Sequence, residues 1–151
     1  MRRAFVALLF AALLQIPSAA QDKTAVMTTV QGFVDSFNKG DTAAAKSVCA
    51  EQTSIIDEFP PYQWNGTGSC AKWMADYDTD ARKNIITDGV VTLAKARHVD
   101  ISGSHAYVVI PADYAYKQNG KPVKETASTL TIVLRKGANG WQITGWSWSK
   151  S

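Results

Sequence analysis

The chain has 151 residues, 46% of them hydrophobic, and a formal net charge of +3 with no run of Lys or Arg to concentrate it. That length suits one domain with its own core, and the dispersed charge excludes the footprint of a nucleic-acid or anionic-membrane binder. No GxGxxG, Walker loop, HExxH or Ser-His-Asp arrangement is present, so nucleotide-driven and nucleophilic chemistry lack support, and no cofactor or metal is expected.

The first twenty residues read as a secretory signal. Arg2 and Arg3 supply a positive start, and Ala4 to Ile16 an apolar run short for a membrane span. Ser18-Ala19-Ala20 offers the small residues of a cleavage site. Cleavage there leaves a single domain over 21–151, in which 14 basic side chains face 13 acidic ones. Retention as an N-terminal anchor is the alternative. No later stretch is apolar for long enough to cross a bilayer, so a periplasmic or secreted product is expected. In an oxidising compartment Cys49 and Cys70, the only two cysteines, are expected to pair. Such a closure contributes about 3 kcal/mol on the entropic account; two buried small hydrophobes are the plainer reading.

Val26, Val30, Phe33, Val34 and Phe37 follow the spacing of an amphipathic helix, ended by Asn38-Lys39-Gly40. Asp41 is placed to cap a second helix from Ala43 to about Cys49. A short strand from Thr53 to Asp57 leads to Pro60-Pro61, which enforces an extended loop. Trp73, Met74 and Tyr77 give a third helix its apolar stripe, with Thr67 or Ser69 as cap. Turns at 100–104, 118–121 and 137–140 then define four antiparallel strands near 90–99, 104–117, 122–136 and 141–149. Helices first and a long antiparallel meander after them predict an α+β fold, with three helices on one face of a mostly antiparallel sheet.

Asn119-Gly120 is the strongest hairpin signal. A two-residue loop there pairs Tyr107 with Ile132, Val109 with Leu130, Pro111 with Ser128 and Asp113 with Thr126. Leu130, Ile132 and Leu134 mark this face as the inner one. It grades to polar at Asp113, Thr126 and Ser128, which suits a half-closed pocket. The opposite face pairs Tyr114 with Glu125 and Tyr116 with Val123. With Val108 and Ile110 it is too apolar for water, which predicts a homodimer through that outer face. Trp146 and Trp148 point outward if the 137–140 loop holds four residues, and inward after one residue of slip.

Asp57 is the first candidate for chemistry. A carboxylate among Ile56, Phe59 and Trp64 is costly to ionise, so it reads as a general base or ligand anchor, or as a strand end accepting bonds from loop amides. Strand alternation lets only one of Asp57 and Glu58 point inward. Asp113 is the second candidate, opposing Asp57 across the pocket or satisfied by Thr126. Phe33, Phe59, Tyr62, Trp64, Trp73, Tyr107 and Ile132 are available to line an apolar cavity or simply to fill the core. Tyr62 and Trp64 suit a lid whose ends the Cys49–Cys70 bond would hold. A turn centred on Ser102-Gly103 sets His98 opposite Tyr107 and His105 opposite Asp100, by default a solvated hairpin.

Phe37-Asn38-Lys39-Gly40-Asp41 between the first helices, Ser54-Ile55-Ile56-Asp57-Glu58-Phe59 on the lone strand, Gly66, and Asn139-Gly140-Trp141-Gln142-Ile143 at the close carry a resemblance. Over about residues 22–149 the chain resembles the nuclear transport factor 2-like superfamily, in its SnoaL-like and ketosteroid-isomerase-like branch. The resemblance implies a cone-shaped fold that encloses a small-molecule cavity. In ketosteroid isomerases an Asp base works there with a Tyr and a protonated Asp as oxyanion donors. Matching brings Asp57 onto the base position, whereas the donor positions fall on Phe33 and near Ile132. Steroid isomerisation by that mechanism is therefore not expected. The leading reading is a binder of a small, largely apolar organic ligand. A lyase, isomerase or hydrolase using Asp57 and Asp113 comes second, and a dimeric scaffold third.

Overall fold

The apolar stripe from Val26 to Phe37 winds into α1 (Ala19–Asn38) of the computed structural model, which describes residues 19–151. Val26, Val30, Phe33 and Val34 form its buried face. Residues 1–18 of the predicted signal lie outside the described residues, and Ala19 and Ala20 open α1. Gly40 turns the chain at φ +67°, a conformation that costs other residues a clash at Cβ. Asp41 then caps α2 (Thr42–Ser47), accepting from the Ala44 N–H at 2.9 Å. This helix stops short of Cys49 because Cys49 already belongs to a strand.

That strand, β1 (Cys49–Ile56), runs parallel to β7 (Gly140–Ser149) and antiparallel to β2 (Gln63–Thr67). The extended loop expected after Pro60-Pro61 is thus largely an edge strand, which sets Trp64 beside Ile55. The third helix, α3 (Ser69–Lys83), buries Trp73 and Met74. Its N-cap is Gly68 rather than Thr67 or Ser69; the Ser69 hydroxyl donates backwards to the Gly66 carbonyl at 2.8 Å. Cys49 and Cys70 are joined in a disulfide, fastening the start of β1 to the first turn of α3.

The strand expected over 90–99 is two strands, β3 (Ile86–Leu93) and β4 (His98–Ser102). Both pair with β5 (His105–Gln118), β3 with its second half and β4 with its first. The β4–β5 turn sits on Gly103-Ser104, so His98 faces Val109 and Asp100 faces Tyr107. With β6 (Lys121–Gly137) the sheet runs β2-β1-β7-β6-β5-β3, and β4 lies beside β5. The helices pack on one face of this curved, unclosed sheet. At the free edge of β3 the Asn38 amide donates to the Val91 carbonyl and accepts from its N–H, both at 2.8 Å. One side chain there satisfies what a further strand would have satisfied.

From the Asn119-Gly120 turn to the Tyr114–Glu125 pair, the register is the one the sequence predicts. Beyond it, Thr126 and Ala127 both fall opposite Asp113 in a β-bulge, with Ala127 at φ +60°. Every later pair is shifted by one, so Ile110 meets Leu130 and Val108 meets Ile132. Strand β5 keeps its alternation throughout. Val108, Ile110 and Tyr114 therefore face the helices and are buried, whereas Tyr107 faces away and is 45% exposed. The apolar outer face predicted from Val108, Ile110, Tyr114 and Tyr116 is in fact part of the inner one. A second bulge, at Thr144, supplies the slip that turns Trp146 inward against Ile132. Fully burying a residue such as Ile110 or Ile132 contributes about 1.5–3 kcal/mol, so the core holds this register firmly.

Candidate functional site

Between α1, α3 and the inner face of β5, β6 and β7 lies a cavity of about 120 Å³. One water needs roughly 15 Å³ on the same measure, so there is room for a small organic molecule. Its apolar wall is aromatic, with Trp73 at the centre. The Trp73 ring lies 4.7 Å from Trp146, edge-on, 5.5 Å from Phe37 and 6.1 Å from Phe33. Phe59 and Trp148 complete that wall.

One end of the cavity is acidic. Strand β1 ends at Ile56, so alternation no longer governs the next two residues and both Asp57 and Glu58 line the cavity. Asp57 Oδ2 accepts from the Trp73 indole N–H at 2.8 Å, and Oδ1 from the Glu58 backbone N–H at 2.7 Å. Burial outweighs those two bonds and, with the charge of Glu125, pushes the Asp57 carboxyl up to about 6. Burial, and next the charge of Glu125, raises Glu58 as well. Glu125 itself accepts from Lys150 Nζ at 2.7 Å and from the Tyr116 hydroxyl at 3.3 Å. Lys150 also reaches Glu58 at 3.5 Å.

The other polar feature is a hydroxyl pair, Tyr77 from α3 and Tyr114 from β5, hydrogen-bonded to each other on the cavity wall. Burial raises both phenols above their ordinary range, so at neutral pH they stay protonated and remain donors. Gly89 makes the pair possible. A Cβ there would lie 2.7 Å from the Tyr114 hydroxyl oxygen and 3.0 Å from that of Tyr77. Gly89→Ala is accordingly expected to force the pair apart and to cost roughly 1–3 kcal/mol by overpacking, read as a lower urea midpoint. A midpoint unchanged from wild type would show that the hydroxyls have free space to retreat.

Residues 26–150 match the model of the SnoaL-like domain. The chain belongs to the SnoaL-like family. No curated protein sequence matches it. Solved structures share the fold of this SnoaL-like domain at low identity. An NTF2-like superfamily protein from Salmonella enterica serovar Typhimurium is 20% identical with a TM-score of 0.74, over 88% of this chain and 93% of that one. A ketosteroid isomerase-like protein from Erwinia carotovora atroseptica is 17% identical with a TM-score of 0.68, over 86% and 96%. An NTF2-like protein of cystatin-like fold from Novosphingobium aromaticivorans is 13% identical with a TM-score of 0.71, over 87% and 82%.

Of the residues singled out from sequence, the SnoaL-like fold brings Phe33, Asp57, Phe59 and Trp73 together at the cavity. Trp64 is buried behind Phe59 and donates to Asp76 at 2.8 Å, and Tyr62 stands exposed at the β1–β2 tip, so neither forms a lid. Ser128 and Ile132 are sealed in the core, Thr126 is exposed, and Tyr107 lies on the outer face. Asp113 is also on that outer side. It pairs with Lys124 at 2.9 Å and accepts from the Ala127 N–H at 3.2 Å, which hold its carboxyl below the ordinary range. It pins the bulge and does not oppose Asp57. Sequence reasoning missed Tyr77, Tyr114, Glu125 and Trp146 as cavity residues. The Tyr114–Glu125 pairing was itself a usable signal, assigned to the wrong face because the bulge at Ala127 intervenes.

Proposed function

We propose that this protein catalyses proton transfer next to a carbonyl in a small, largely apolar ligand, as an isomerase or lyase. The observation that carries the reading is the placing of the Asp57 carboxyl, raised to about 6, on the wall of a cavity that also holds the Tyr77–Tyr114 hydroxyl pair. A base with that affinity is largely ionised at neutral pH yet still basic enough to take a carbon-bound proton. The electron pair released would move onto the carbonyl oxygen, where a protonated phenol can donate; one such donor is worth about 3 kcal/mol in a dry site. Returning the proton to a different carbon gives isomerisation, and loss of a group from the neighbouring carbon gives elimination. On the sequence alone a pure binder leads, because the resemblance sets the family's donor positions on Phe33 and near Ile132. Tyr77 and Tyr114 offer hydroxyls from other elements, and the balance moves to catalysis. The test is deuterium exchange at the α-carbon of small cyclic and aryl ketones in heavy water, followed by proton NMR. Exchange by the wild type and none by Asp57→Asn is expected. Equal exchange by both would remove Asp57 from the role, and ligand binding without exchange in either would make the protein a binding module.

The working form in this reading is an exported homodimer. The disulfide suits an oxidising compartment. The outer face, emptied of its predicted residues, carries a different apolar group: Tyr107 at 45% and Val133 at 41% exposure, paired across β5 and β6, with Val109 next along β5 and Ile56, 55% exposed, on β1 beyond β7. Native mass spectrometry of the exported chain is expected to give a dimer whose protomer begins at Gln21, and a monomer for Val133→Lys. A wild-type monomer would sink the dimer, and an intact Met1 would sink the signal cleavage.

A further inference from the structure

We infer that the two phenols divide the work: Tyr77 meets the carbonyl oxygen as the catalytic donor, and Tyr114 acts through it as a positioning residue. The inference rests on the proton-transfer reading and assigns roles within it. In an enolisable ketone the carbon that loses the proton and the oxygen that takes the charge both sit on the carbonyl carbon, so base and donor must stand close together. Tyr77 meets that demand. Its ring stacks on Trp73 at 6.0 Å, and the Trp73 indole N–H is what donates to Asp57. The same ring meets Phe37 at 4.9 Å and Phe59, next but one to Asp57 in the chain, at 5.9 Å, both edge to face. Tyr77 is thus fixed among the residues that hold the base.

Tyr114 has a different neighbourhood. It stacks on Tyr116 at 4.7 Å, is only 9% exposed, and sets its hydroxyl against Gly89, the one cavity-side position where a Cβ would crowd it. Each hydroxyl carries one proton, and one of the two lies in the bond they share. When Tyr114 gives that proton, the Tyr77 proton is free for the ligand, and a hydroxyl that accepts a bond donates more strongly. Burial is the first cause raising both phenols. After it, the shared bond lowers Tyr77 and raises Tyr114, the sense of a bond that Tyr114 donates. Charge developing on the ligand oxygen is then drawn through Tyr77 towards Tyr114, with both phenols staying protonated.

The test is a double-mutant cycle on α-deuterium exchange into cyclohexanone and acetophenone, with kcat and KM measured separately. Tyr77→Phe is expected to lower kcat by about 10² to 10³, the worth of one oxyanion donor. Tyr114→Phe should lower kcat by about tenfold with KM held, since it removes only the bond that supports Tyr77. The double variant should stay within about twofold of Tyr77→Phe alone, because Tyr114 reaches the ligand only through Tyr77. A double variant whose loss is the product of the two, or a Tyr114→Phe loss as large as that of Tyr77→Phe, would overturn the division. So would a Tyr77→Phe protein that keeps its kcat. No exchange by the wild type would overturn the proton-transfer reading and this inference with it. Gly89→Ala, which parts the hydroxyls without removing either, probes Tyr114 again should Tyr114→Phe fail to fold. The same loss of about tenfold is expected, and a full kcat in a Gly89→Ala protein with a lowered urea midpoint would overturn the role of Tyr114.

Discussion

Asp57→Asn is expected to lower proton-transfer turnover by about 10² to 10⁴, the usual worth of a positioned base, in a protein that stays folded. Its second effect is on stability. The native carboxyl holds its proton up to about pH 6, against 3.8 for an ordinary aspartate. Between those values the native state binds more protons than the unfolded one, so stability falls as pH rises through that window and is flat above it. The span corresponds to roughly 3 kcal/mol. Asparagine removes that contribution and leaves the one from Glu58, whose carboxyl burial also raises. It loses one of the bonds from Trp73 or Glu58, worth about 1 kcal/mol, because its amide can accept through only one atom. Urea unfolding of both proteins at pH 4.5 and 7.5 reads the difference. A slope in Asp57→Asn as steep as the wild type's would mean that Asp57 is not the group being titrated.

Trp73→Ala is expected to cost 3–5 kcal/mol, the usual range for deleting a buried indole. Trp73 touches Phe33, Phe37, Phe59, Tyr77 and Trp146 at ring distances of 6.4 Å or less. With total stabilities of about 5–15 kcal/mol, that variant would sit near the edge of folding. Trp73→Phe separates packing from chemistry. It keeps most of the ring but removes the N–H that donates to Asp57, and a bond to a charged group is worth about 1.5–3 kcal/mol. The Asp57 carboxyl should then rise further, carrying the acidic limb of the pH–rate profile upward with it. An unmoved limb in a folded Trp73→Phe protein would show that the indole does not hold the anion.

The parts legible in the sequence were those governed by local chemistry. The stripe from Val26 to Phe37, the Asp41 cap and the Asn119-Gly120 turn each act over a few residues, and each stands where expected. The inner face of the sheet was not legible, because it depends on an extra residue in β6. Ala127 adopts a positive φ without being glycine, so nothing in its identity marks a bulge; Asp113 and the buried side chains beyond it impose one. That slip hid Tyr114 and Glu125 from the pocket and put Asp113 into it. Asp57 was found because a carboxylate between apolar neighbours is visible in a row of letters. The pairing of Glu58 with Glu125 was not, since it needs the third dimension.

The Cys49–Cys70 bond has a further consequence at the exposed tip between β1 and β2. Loop tips are where proteases nick folded chains, and Tyr62 stands 56% exposed there. A cut beside Tyr62 falls between the two cysteines, so it would release no fragment. The piece ending just past Asp57 and the piece beginning before Trp64 would stay covalently joined and still paired, strand to strand. A protease that cut at this tip would therefore leave the walls of the pocket joined.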